Sequence, residues 1–68
     1  MNSRGELLRA IKEEGLSRVM LIMANICLTE LMNECENRAD GAAYANIGSE
    51  LLRIRETVKT IEKNTKKN

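Results

Sequence analysis

Few groups in this 68-residue chain can do chemistry. There is no His, so a metal site would have to be assembled from Cys27, Cys35 and carboxylates. Glu30 and Glu34 stand four apart and share a helix face, but the Glu-x-x-His pair of carboxylate-bridged di-metal bundles cannot be written with these residues. Ser17, Ser49 and the threonines have no imidazole to act as base, and no Gly-rich loop is present to cradle a phosphate. A carboxylic acid acting as catalyst would need an enclosed pocket to raise its pKa, which a narrow helical unit does not supply. No catalytic residue, metal ligand or cofactor site is therefore assigned, and the expectation is a protein that is not an enzyme. Cys27 and Cys35 are eight apart in one expected helix, about 12 Å by helical rise, too far for a disulfide. Both read as small hydrophobes of a helical core.

The elements that hold these groups are read from composition and periodicity. The chain is 43% hydrophobic and 31% charged, without Pro, Phe or Trp, and is rich in Leu, Ile, Met, Ala, Glu, Lys and Arg. That composition predicts an all-α fold. A single domain this small buries only about 60% of the surface of its unfolded chain, so association with a second copy is the natural remedy.

The stretch Leu16 to Leu28 dominates the chain: ten of its thirteen residues are apolar, more than one helical stripe can hold. With Arg18 inside it, the run falls short of the roughly 20 apolar residues that span a bilayer, so its cover is expected to be protein and no membrane partner is assigned. Before it, Ser3 and Glu6 form a capping-box pattern that starts a short helix over residues 4–14, with Leu7, Leu8 and Ile11 on one side. Gly15 ends that helix and Ser17 is placed to cap the next; an unbroken helix over 4–38 is the competing reading.

Helix 2 is expected over residues 17–38 and helix 3 over 42–63, joined by a turn from Asn37 to Gly41 that uses Asp40-Gly41. Tyr44, Ile47, Leu51, Ile54, Val58 and Ile61 follow spacings of 3, 4, 3, 4 and 3, a heptad seam. Gly41, Ala42, Ala45 and Gly48 add a small-residue edge that suits close backbone packing. Residues 64–68 read as a frayed basic tail.

The fold predicted is an antiparallel helical hairpin with a short N-terminal helix, two copies forming a homodimer with a four-helix-bundle-like core. Leu16, Met20, Met23, Cys27, Leu31, Ile47, Leu51, Ile54, Val58 and Ile61 are its expected core and dimer interface. Asn25 is placed as a polar interruption that sets register, with an exposed Asn as the alternative. The outline is similar to the small helical-hairpin dimers that bind RNA in plasmid copy control, a likeness of architecture and length that no residue motif carries.

The net charge of +1 gives bulk electrostatics no reason to seek nucleic acid. Its distribution is polarised: Glu30, Glu34, Glu36 and Asp40 face only Arg38 in mid-chain, while Arg53, Arg55, Lys59, Lys63, Lys66 and Lys67 outnumber Glu56 and Glu62 at the end. The four acids, with Arg53, Arg55, Lys59 and Lys63, are the candidate partner-binding surface. Ile11 to Val19 has the outline of a DNA-reading helix-turn-helix, yet Val19, Met20, Ile22 and Met23 stand where base-reading polar side chains belong.

The favoured function is a small regulatory or adaptor protein that modulates another protein through a helical surface, such as a phage- or plasmid-type inhibitor. A dimeric nucleic-acid binder is the alternative. The start of the chain lacks the pattern of a secretory signal, and a cytoplasmic setting is expected.

Overall fold

The computed structural model describes residues 2–65, and its elements are three helices with no strand among the described residues. Helix α1 is Ser3–Glu14, α2 is Leu16–Glu34 and α3 is Arg38–Thr65. The tail beyond residue 65 lies outside the described residues.

Helix α1 begins at Ser3, one residue earlier than expected. Asn2, not Ser3, supplies the capping oxygen, accepting the Gly5 N–H at 2.9 Å. The break at Gly15 is real: φ of +95° and ψ of 146° form a backbone region essentially confined to glycine. The unbroken helix over 4–38 is thereby excluded. Helix α1 packs against the α2 that follows it and leaves none of its residues buried.

The hairpin turn lies earlier than Asp40-Gly41. Helix α2 stops at Glu34, Cys35 is extended, and α3 starts at Arg38. Asn37 and Asp40 form a reciprocal cap: the Asp40 N–H donates to Asn37 Oδ1 at 2.8 Å, and Asn37 Nδ2 donates to Asp40 Oδ2 at 3.0 Å. The Asn-x-x-Asp capping pattern outcompetes the turn preference of Asp-Gly, so Gly41 falls inside the first turn of α3 and is buried there.

Helix α2 is not uniform. Cys27–Leu31 forms a π-helical turn, in which the Met32 N–H reaches back to the Cys27 carbonyl. The Thr29 hydroxyl donates to the Asn25 carbonyl at 2.7 Å within the same stretch. The extra residue rotates the end of the helix by about one residue step, roughly 100°. That rotation carries Met32 onto α3, where its carbonyl lies against Gly41.

Small residues set how closely the two long helices approach. A methyl group added at Gly48 would sit 2.7 Å from Leu28 Cγ and 3.1 Å from the Ala24 carbonyl oxygen. Ala24 itself is wholly sealed, and Val19, Met20 and Cys27 complete the buried apolar set. Of the small-residue edge of α3, Gly41 and Gly48 thus pack closely, whereas Ala42 is exposed and Ala45 half-buried.

At the other end, the contact between helices is polar. Glu62 of α3 accepts the Ser17 N–H at 3.0 Å through Oε2 and the Ser17 hydroxyl through Oε1, and Arg55 Nε donates to the Ser17 carbonyl at 2.8 Å. Ser17 does not cap α2 with its own side chain. A carboxylate from the neighbouring helix does so instead, at the positive end of the α2 dipole.

Candidate interaction surface

The contact line of α3 against α2 runs through Gly41, Gly48, Arg55 and Glu62, which are seven apart. Ile47, Ile54 and Ile61 each precede a member of that line by one residue, and therefore project about 100° away from it, out of one flat face of the hairpin. They are 48%, 45% and 58% exposed. Tyr44, Leu51 and Val58 lie between this row and the contact line and are half-buried.

The same construction applies to α2. Its contact line passes through the sealed Ala24. Met23 is one step before it, and Leu16 has nearly the same angular offset. Two antiparallel helices are related by a two-fold rotation perpendicular to their common plane, so equal offsets from the contact line fall on the same face. Met23 and Leu16, both exposed, therefore share a face with the isoleucine row.

One step after the contact line, the residues are of another kind. Ala42, Ser49, Glu56 and Lys63 on α3, and Asn25 on α2, are all exposed. The hairpin has one apolar and one polar face. Asn25 belongs to the polar one, the exposed setting that stands as the alternative to a register-setting role.

The expected core and interface residues are accordingly divided. Met20 and Cys27 are buried within the chain. Leu31, Leu51 and Val58 are half-buried. Leu16, Met23, Ile47, Ile54 and Ile61 are exposed, together with Ile22 and Ile26 on the outer edge of α2 and Leu7 and Leu8 on α1.

Shape and area give the surplus a size. The radius of gyration is 14.1 Å, against about 11 Å for a compact domain of this length, and the molecule measures 48 × 31 × 13 Å. Its accessible surface is 5528 Å². A compact monomer of 7.7 kDa would expose about 4,300 Å². The difference, on the order of 1,200 Å², exceeds the roughly 800 Å² that each partner contributes to a standard protein interface.

The charged candidates do not converge into a site. Glu30, Glu34, Glu36 and Asp40 are exposed near the hairpin turn. Arg53 pairs with Glu50 at 2.7 Å, and the hydrogen bond and the charge of Glu50 raise the guanidinium pKa. Lys59 pairs with Glu56 at 3.5 Å, and Arg55 is engaged by Ser17. The basic row is thus partly spent on local acids. Glu13 and Glu14 line an open groove with Gly15, Ile61 and Glu62, which brings further acids to the basic end and softens the polarity read from the sequence.

Among the described residues, no three His, Cys, Asp or Glu side chains gather as metal ligands. The thiols of Cys27 and Cys35 are free, and Cys35 Sγ donates to the Leu31 carbonyl at 3.2 Å. Helix α2, at 19 residues, is long and apolar enough to cross a membrane by length and composition alone, a measure that core helices of soluble proteins also meet. It extends six residues past the apolar stretch that ends at Leu28. Comparison with known proteins returns no match: no family model, curated protein or solved structure is significantly similar to this chain.

Proposed function

We propose that this chain is a non-enzymatic regulatory or adaptor protein that works as a cytoplasmic homodimer with a four-helix-bundle-like core and modulates another protein through its helical surface, as a phage- or plasmid-type inhibitor does. The observation that carries this reading is the one-sided apolar face of a hairpin whose exposed area exceeds that of a compact monomer by more than one side of an ordinary interface. An apolar patch of this extent is a mark of association. Stacking two such faces yields four helices around one core and leaves the polar faces outward for a partner. The acids Glu30, Glu34, Glu36 and Asp40 and the bases Arg53, Arg55, Lys59 and Lys63 remain accessible to that partner's charges in this arrangement.

Two measurements test the reading. Light scattering at micromolar concentration should give twice the 7.7 kDa chain mass, and a stable folded monomer would overturn it. A gel-shift titration with RNA and with DNA should show no tight complex. Binding that collapses between low and moderate salt would replace the protein-partner reading with the nucleic-acid one.

A further inference from the structure

We infer that the occupant of the apolar face is a second copy of this chain stacked with its hairpin turn at the opposite end, the two-fold axis passing at Ile54 so that Ile47 of each copy meets Ile61 of the other. This rests on the dimeric reading above and specifies its geometry. The row Ile47, Ile54, Ile61 is symmetric in spacing about Ile54, so an antiparallel two-fold axis there brings every member onto an isoleucine.

Charge favours opposite over matching ends. Matching ends would gather Glu30, Glu34, Glu36 and Asp40 from both copies around two Arg38 side chains, and opposite ends set them toward Lys59 and Lys63.

Oxidative cross-linking of the full chain, with Cys27→Ala and Cys35→Ser as background, tests the register. Ile54→Cys should form a disulfide-linked dimer with itself. Ile47→Cys and Ile61→Cys should each fail to self-link but should link when mixed. Self-linking at Ile47→Cys as efficient as at Ile54→Cys overturns the antiparallel register while leaving the dimer standing, and a monomeric background protein overturns both readings. A spin label at Ala39→Cys, exposed at the start of α3, provides a measurement that does not perturb the row. The axis at Ile54 requires about 45 Å between the two labels, from 1.5 Å of rise per residue. A separation near one helix-packing distance, about 10 Å, contradicts it.

Discussion

The two faces of the hairpin are built from the same backbone and differ by a rotation of two residue steps. One step before the contact line stand Ile47, Ile54 and Ile61; one step after it stand Ser49, Glu56 and Lys63. All six are exposed in the single chain. Exposure alone therefore does not distinguish them, and side-chain chemistry does. Water is a suitable neighbour for the second row, but the first exposes branched apolar surface worth about 25 cal/mol per Å² if removed from water. The polar face suits water as it stands, whereas the apolar face leaves branched side chains uncovered.

The sharpest way to break this contrast is to make the faces alike. Ile54→Lys should abolish dimerisation, because burial of each Ile side chain contributes about 1.5–3 kcal/mol and the dimer contains two. The affinity should fall by at least 100-fold in a sedimentation titration. Glu56→Lys on the opposite face changes charge as well, yet should leave dimer affinity within about 0.5 kcal/mol. Equal effects at both positions would erase the distinction between the faces.

Between the faces lies the layer that both depend on. Met20 is buried within the chain, so Met20→Ala should cost about 2–5 kcal/mol in urea denaturation at fixed protomer concentration. Met23, one face outward and 43% exposed, provides the contrast. Met23→Ala should lower stability through the dimer, so its cost should grow with protomer concentration while that of Met20→Ala does not. Gly48→Ala comes next, at about 1–2 kcal/mol. Overpacking against Leu28 and the Ala24 carbonyl outweighs the helix propensity gained, which is about 1 kcal/mol. A stabilised Gly48→Ala would mean that the helices have room to separate.

Much of this arrangement was legible in the sequence because periodicity survives folding. The heptad from Tyr44 to Ile61 marks the apolar face of α3, and the break at Gly15 follows from a residue that tolerates φ of +95°. Three features were harder to read. Asp40-Gly41 resembles a turn until Asn37 is weighed as a cap, and the cap wins because it satisfies orphan donors of a 28-residue helix. The π turn at Cys27–Leu31 has no residue signature of its own, and it shifts the phase of everything after it. The partner of the Ser17 backbone was also hidden, since Glu62 lies 45 residues away.

That long-range cap is the smallest effect and the most specific test of how α3 holds the open end of the hairpin. The Glu62 carboxylate receives both the N–H and the hydroxyl of Ser17 in a half-buried setting, so both mutations should destabilise without unfolding the chain. Ser17→Ala removes the hydroxyl bond and leaves the backbone bond in place, for about 0.5–1 kcal/mol. Glu62→Ala removes both and leaves the first N–H groups of α2, the positive end of its dipole, without an anion, for about 1–2 kcal/mol. In the double mutant, the hydroxyl contribution is lost once rather than twice, so the two single costs should exceed the double by about 0.5–1 kcal/mol. Additive costs would mean that the hydroxyl and the carboxylate do not act on one another. Neither mutation should change the cross-linking pattern of the isoleucine row, because Glu62 sits on the contact line one step away from the apolar face.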